Sequence, residues 1–205
     1  YPSSASISQI KYYDVGKYPC AGAGSRDGSI NAVGGFLVHG DASGGGQLTS
    51  FTIDNSFRIL ASDAAADDRF GSSVAIDGNY ALVGANKNHI SNIADAGSAY
   101  LYKFSESGNG LSIDNSYRIL ASDRAADDWF GVSVAINGNY ALVGARGNDE
   151  GGSMTGSAYL YKFSENNNVL SIDNSFRILA SDRDDYDYFG WSVAINGSYA
   201  LVGAW

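Results

Sequence analysis

The sequence predicts an all-β protein made of repeated four-stranded antiparallel blades, arranged like a propeller or in a linear stack. Three observations support this class: an internal repeat of about 60 residues, Asp-Gly or Asn-Gly pairs at turn positions, and an unusual composition. The 205 residues include 26 Gly, 14 Tyr and 9 Phe but only 2 Pro. Glycine supplies positive φ in tight turns and aromatic side chains suit pleated sheets, so this composition favours many short strands.

The repeat is a near-identity between three segments of the chain. Residues 54–63, 114–123 and 173–182 have almost the same sequence and begin 60 and then 59 positions apart. A period of this size is typical of a propeller blade or a solenoid coil. The chain is divided accordingly into an N-terminal segment (1–28), a degenerate partial repeat (29–53), two complete repeats (54–113 and 114–172) and an incomplete repeat (173–205).

Each repeat contains a predicted β-hairpin and two further strands. An Asp-Gly or Asn-Gly pair lies between two apolar runs in every copy, at 73–76 and 80–83 in the first. Such pairs favour a type I′ turn, in which both central residues need positive φ. Residues 98–104 form the predicted third strand and 57–60 a short fourth strand. Apolar residues occupy both faces of the hairpin, so we expect neighbouring blades to bury both.

A Phe-Gly pair and a later Gly-Ala pair recur in the three copies. They are Phe70-Gly71 with Gly84-Ala85, Phe130-Gly131 with Gly144-Ala145, and Phe189-Gly190 with Gly203-Ala204. The pattern resembles the FG-GAP repeat of integrin α-type β-propellers, although no proline follows the Gly-Ala pairs here. The resemblance implies a propeller-type fold, an extracellular or cell-surface location, and a role in recognition or adhesion.

Acidic residues precede each Phe-Gly pair. The resemblance implies a calcium loop between the hairpin strands, but here that loop is cut to a turn too short to supply six to eight oxygen ligands. We therefore expect no required cofactor. Two interpretations of the acidic residues stay open: an acidic rim that binds a cation such as calcium, or side chains that accept hydrogen bonds from turn N–H groups. The candidate ligands are Asp63, Asp67, Asp68, Asp123, Asp127 and Asp128, with Asp182, Asp184, Asp185 and Asp187 in the third copy.

Charge and composition argue against several classes of function. The formal net charge is -9, so nucleic acid and anionic membrane surfaces are not expected partners. No apolar run reaches the roughly 18 residues of a membrane span. His39 and His89 have no neighbours at zinc or triad spacing, and identical Asp sets in every copy do not separate an acid from a base. We expect no enzymatic activity.

The two end segments are predicted to join neighbouring molecules. The incomplete repeat has no counterpart of residues 157–163, which leaves a free sheet edge. Residues 3–13 belong to no repeat, and we expect them to pair with that edge in the next copy. Such head-to-tail contact between copies gives a homo-oligomer, and a filament if it does not close. The residues assigned to this contact are Ile7, Ile10, Tyr12, Trp191 and Trp205.

A monomeric ligand- or carbohydrate-binding module is the alternative interpretation. Loops 86–97 and 146–156 differ most between the copies, and binding residues concentrate on such loops. The position before the Phe-Gly pair holds Arg69, Trp129 or Tyr188, where an aromatic ring either stacks on a sugar or packs between blades. The partners would then be glycans or other cell-surface ligands.

One N-glycosylation sequon is present. Asn196-Gly197-Ser198 is the only Asn-x-Ser/Thr triplet in the chain, and it lies at a predicted hairpin tip. Asn196 is therefore a candidate glycan acceptor if the protein is secreted by a eukaryote.

Overall fold

A computed structural model describes residues 14–15, 58–107 and 110–205, and all regular structure in these ranges is β-strand. The predicted all-β class is confirmed. The strands are β1 (Asp14–Val15), β2 (Arg58–Ile59), β3 (Phe70–Asp77), β4 (Tyr80–Ala85), β5 (Ser98–Ser107), β6 (Gly110–Ile119), β7 (Ser133–Asn137), β8 (Tyr140–Ala145), β9 (Ser157–Asn166), β10 (Val169–Ile178), β11 (Ser192–Asn196) and β12 (Tyr199–Gly203).

Ten of these strands form three consecutive antiparallel sheets. The first sheet has the order β3-β4-β5-β6, the second the order β7-β8-β9-β10, and the third pairs β11 with β12. Strands adjacent in sequence are therefore adjacent in each sheet, as in a meander. The four-stranded antiparallel blades predicted from the repeat are confirmed, and the described sheets do not close into a ring.

The N-terminal segment is described only at β1. Asp14 and Val15 pair in parallel with Arg58 and Ile59 of β2, beside the start of the first complete repeat. The predicted donor residues Ile7, Ile10 and Tyr12 and the degenerate repeat 29–53 lie outside the described residues. Within the described ranges, no helix has the length and apolar character needed to cross a membrane.

The fourth strand is longer than the sequence predicted. Residues 57–60 were expected to form a short strand, and their counterparts in the next copy end the ten-residue strand β6. β6 pairs along β5, with one irregularity of register near Lys103. β6 pairs with β5 along nearly its whole length, and β10 pairs with β9 in the same way. The first residues of the second and third repeats are therefore hydrogen-bonded to a strand of the repeat before them. The sheets therefore straddle the borders of the sequence repeats.

The hairpin turns differ from the predicted type. β3 ends at Asp77 and β4 begins at Tyr80, so Gly78 and Asn79 are the central residues. Gly78 has φ +54°, whereas Asn79 is not among the residues with positive φ. Positive φ at the first central position alone fits a type II′ turn, which takes glycine there, and the type I′ prediction is wrong. The hairpins themselves are confirmed.

The apolar core lies between sheets and on both sides of the first sheet. Leu82 and Leu101 of the first sheet share one core with Phe130 and Ile136 of the second. On the opposite face, Val83 packs in a second core with the aromatic residues of β5 and with residues 59 and 61. Leu82 and Val83 are neighbours in β4 and both are buried. Both faces of β4 are therefore covered as predicted, whereas Val74 and Ile76 of β3 in the same hairpin are exposed among the described residues.

Neighbouring sheets approach closely at their innermost strands, β3, β7 and β11. Ser73 Oγ in β3 donates a 2.7 Å hydrogen bond to the carbonyl oxygen of Gly131, the glycine of the Phe-Gly pair that precedes β7. A Cβ added to Gly84 would lie 2.0 Å from that same oxygen, so only glycine fits. The corresponding residues between the second and third sheets are Ser133, Gly144 and Gly190.

Candidate functional site

Two of the acidic candidates are engaged in ion pairs. Asp63 accepts a 2.5 Å hydrogen bond from the hydroxyl of Tyr100 and is paired with Arg118. Burial, followed by the hydrogen bond to Asp63, raises the pKa of Tyr100 above its ordinary range, so the phenol stays a donor. These contacts tie the loop that carries Asp63 to the outer strands. The equivalent residues in the next copy are Asp123, Tyr159 and Arg177.

Two further candidates are buried and accept hydrogen bonds from turn backbone. Asp68 accepts from the N–H of Ala65 at 2.8 Å, and Asp128 from that of Ala125 at 2.6 Å. Asp128 also accepts from the side-chain amide of Asn148 at 3.3 Å. These are the contacts that the turn interpretation of the acidic residues expects. Among the described residues, no group of three or more His, Cys, Asp or Glu side chains is arranged to hold a metal ion.

The remaining acidic candidates lie at the surface. Asp67 and Asp127 are exposed, with φ +67° and +62°. In the third copy, Asp187 accepts a 2.6 Å hydrogen bond from the N–H of Asp184, the counterpart of the bonds to Asp68 and Asp128. The same local turn is therefore built in all three copies, by one carboxylate in each.

Burial raises the pKa of Asp128 from its ordinary value of 3.8 to about 6. The folded protein then holds this proton more tightly than the unfolded chain, so stability present below about pH 4 is lost as the pH rises through about 6. Asp128→Asn is expected to remove this part of the pH dependence. Urea midpoints at pH 4 and pH 7 measure it, and an identical change with pH in variant and wild type would contradict the assignment.

The outward face of the third sheet, here called the terminal face, carries Tyr199 and Leu201. Leu201 is 73% exposed, whereas its counterparts Leu82 and Leu142 are 0% exposed. Tyr199 is also exposed, whereas its counterpart Tyr80 packs edge-on against Phe163 of the next sheet with ring centroids 5.1 Å apart. The terminal face therefore exposes a leucine that is buried in both other copies, and a tyrosine whose counterparts Tyr80 and Tyr140 are less exposed.

Hydrogen bonds also join the tip of each hairpin to the tip of the next one along the chain. The N–H of Gly138 donates to the carboxylate of Asp77, and the N–H of Gly197 donates to the amide oxygen of Asn137 at 2.8 Å. Asn196 is the next member of this series. It is exposed at the tip between β11 and β12, as the sequon prediction requires, and its glycosylation remains a prediction.

Aromatic rings gather around one arginine where the second and third sheets meet. The Cζ atom of Arg146 lies 4.0 Å from the ring centroid of Trp191, 4.8 Å from that of Trp129 and 5.9 Å from that of Tyr188. The rings of Trp191 and Trp205 are 5.3 Å apart. Cations at these distances are attracted to ring faces. This aromatic cluster comprises Trp129, Arg146, Tyr186, Tyr188, Trp191 and Trp205.

The three repeats account for most of the chain, and all three match one family. The profile of the FG-GAP repeat matches residues 55–102, 114–161 and 174–205, together more than half of the sequence. The chain belongs to the FG-GAP repeat family. No curated protein matches the chain.

The two glycine-containing pairs of the FG-GAP repeat have a shared structural purpose here. Phe130 is fully buried, with its ring centroid 5.4 Å from Tyr159 and 6.1 Å from Tyr161 of the same sheet. Its neighbour Gly131 offers the carbonyl oxygen that approaches Gly84 of the preceding Gly-Ala pair. The Phe-Gly and Gly-Ala pairs of the FG-GAP signature are therefore residues at which one sheet packs against the next.

The sequence identified some residues of the aromatic cluster and missed others. Trp129 and Tyr188 were singled out at the position before the Phe-Gly pair, and Trp191 and Trp205 were assigned to assembly. The structure brings these four residues together, but their role in assembly remains a proposal. Arg146 lies in a loop recognised as variable, and its place among the rings follows from contacts between sheets that no spacing indicates.

Proposed function

We propose that this FG-GAP chain is a non-catalytic structural or adhesive module that joins other copies of itself head to tail outside the cell. The observation that carries the proposal is the exposure of Leu201 on the terminal face, where Leu82 and Leu142 are fully buried. Burying a leucine side chain contributes about 1.5–3 kcal/mol. A sheet seated there would repeat a contact that the chain already makes twice.

Among the described residues, the first sheet exposes apolar side chains whose counterparts in the second sheet pack against a preceding sheet. In the second sheet, Val134 and Ile136 lie against the first sheet and are nearly buried. Their counterparts in the first sheet, Val74 and Ile76, are 57% and 47% exposed. Among the described residues, the first sheet therefore presents the surface that packs against a preceding sheet, and the third presents the surface that packs against a following one. Such unlike, complementary surfaces favour head-to-tail association, which gives a filament when it does not close.

The free edge of β12 favours the same direction of assembly. β4 and β8 each pair with a following strand, β5 and β9, whereas β12 pairs only with β11 among the described residues. Unpaired N–H and C=O groups on such an edge favour addition of a strand. We assign this role to residues 3–13 of the neighbouring copy, including Ile7, Ile10 and Tyr12. An extracellular location is in keeping with FG-GAP repeats and with the exposed sequon.

Leu201→Asp is expected to abolish self-association while leaving the fold intact, because the new carboxylate would be buried in the contact. Val169→Asp is the matched control, since Val169 is 60% exposed and lies in β10, away from the terminal face. Light scattering should show large species for wild type and Val169→Asp and single copies for Leu201→Asp. Removal of residues 1–13 should have the effect of Leu201→Asp.

Two results would overturn the proposal. If wild type remains a single species near 21.5 kDa at high concentration, the chain does not assemble and a monomeric binding module is favoured instead. If Leu201→Asp assembles like wild type, the contact lies elsewhere. Continued assembly without residues 1–13 would refute the donor strand alone.

A further inference from the structure

The aromatic cluster occupies positions that differ between otherwise near-identical repeats. The residue before the Phe-Gly pair is Arg69 in the first copy and aromatic in the other two, and the residue after the pair is Ser72 in the first copy and Trp191 in the third. Where the first and second sheets meet, Arg69, Asn86 and Val132 take the places of Trp129, Arg146 and Trp191, and Trp129 takes the place of Tyr188. Packing between sheets therefore does not require an arginine surrounded by several rings, which indicates that this set serves another purpose.

The position before the Phe-Gly pair has a left-handed backbone conformation. Trp129 and Tyr188 have φ of +53° and +52°, a left-handed conformation that costs about 1–2 kcal/mol in any residue but glycine. The preceding loop holds them there, since their N–H groups donate to the carbonyl oxygens of Asp95 and Met154. Glycine would adopt this conformation freely. Arg69 has φ +56° at the same position, so the turn adopts this conformation in all three copies, whichever side chain it carries.

Arg146, at the centre of the rings, has no carboxylate partner among the described residues. Arg118 and Arg177, by contrast, are each paired with an aspartate. The Nε of Arg146 and the indole N–H of Trp129 are buried without a hydrogen-bond partner in the described part of the chain. Burial lowers the pKa of Arg146, and the charge of Arg69 adds to this effect, but a guanidinium remains charged. An acidic chain of net charge -9 thus retains one uncompensated cation among ring faces.

We propose that the aromatic cluster binds a carboxylated sugar, with Arg146 holding the carboxylate and the exposed rings stacking on the sugar ring. A guanidinium matches a carboxylate with two parallel hydrogen bonds and also stacks on aromatic rings. Trp191, Trp205 and Tyr186 are exposed, so each of these rings is accessible from the surface. A uronic acid residue satisfies both features, because one ring presents a flat C–H face beside a carboxylate. The ligand class is thus an acidic glycan.

The test is calorimetric titration with trigalacturonic acid and with its methyl ester, at a protein concentration where light scattering shows one species. The acid should bind, and the ester should bind at least about tenfold more weakly because it has no charged partner for Arg146. Arg146→Gln should weaken binding of the acid by a similar factor. Trp191→Ala should weaken both ligands, since it removes a stacking surface.

Arg183→Gln is the matched control. Arg183 is exposed in a neighbouring loop and donates to the carbonyl oxygen of Ala180, so this variant removes the same charge at another place. It should bind the acid like wild type. If Arg146→Gln does not fold, Arg146→Lys takes its place in the test. The lysine keeps the positive charge but lacks the planar guanidinium that binds a carboxylate with two hydrogen bonds. The proposal would be overturned if the acid and the ester bind equally well, or if the Arg146 and Arg183 variants lose equal affinity. It would also be overturned if a sulfated trisaccharide binds more tightly than the acid, or if no binding occurs at millimolar concentration. None of these results depends on self-association.

Discussion

Gly84→Ala is expected to destabilise the folded chain by more than about 3 kcal/mol, at the upper end of what overpacking causes. The added Cβ would lie 2.0 Å from the carbonyl oxygen of Gly131 and 2.4 Å from Ser73 Oγ. Neither atom can move freely, because Ser73 Oγ donates to that carbonyl across the two sheets. Relief of the clash requires the sheets to separate, which exposes the core around Leu82. The urea midpoint of unfolding measures the loss.

Gly203→Ala provides the internal control for that experiment. Gly203 is the counterpart of Gly84, but its added Cβ would approach only the side-chain oxygen of Ser192 closely, at 2.4 Å. A serine side chain can rotate away, so we expect a loss below about 1 kcal/mol. Equal losses in the two variants would show that the carbonyl of the next sheet is not what requires glycine in this motif.

Phe130→Ala is expected to destabilise the protein by about 3–5 kcal/mol, the usual range for removing a buried aromatic ring. Phe130 is 0% exposed and packs edge-on against Tyr159 and Tyr161. Its removal would leave a cavity that strands from two sheets cannot fill by collapsing. For a chain of this length, we expect the melting temperature to fall by roughly 10 °C.

Phe176→Ala is the matched control for the ring deletion. Phe176 lies in β10 and is 67% exposed, so its loss should change stability by less than about 0.5 kcal/mol. Similar melting temperatures for the two variants would contradict the assignment of Phe130 to the core between the first and second sheets.

The sequence predicts most of the fold because the repeat states the pattern three times. The hairpins and the third strand follow from local turn residues and apolar runs. The length of β6 does not, because residues 114–119 pair with β5 across the border of two repeats. The predicted turn type was wrong because the type depends on where the pairing of β3 with β4 ends. It ends at Asp77, so Gly78 is the first central residue of the turn.

The candidate sites were predictable only in part. Asp63 was visible as an acidic residue, but its neutralisation by Arg118 depends on a contact between residues 55 positions apart. Arg146 has no local motif, and its setting arises where the second and third sheets meet. The variation of these positions between near-identical copies was the one sequence signal that marked the cluster.

Hydrogen exchange of the β12 amides tests head-to-tail assembly most directly. Among the described residues, Tyr199–Gly203 pairs only with β11, so we expect its outward amides to exchange quickly in dilute protein. At concentrations where light scattering shows assemblies, we expect these amides to slow by at least about tenfold, with β7 unchanged because it is already packed between neighbouring sheets. Exchange in β12 that stays equally fast in the assembled protein would contradict the proposed contact.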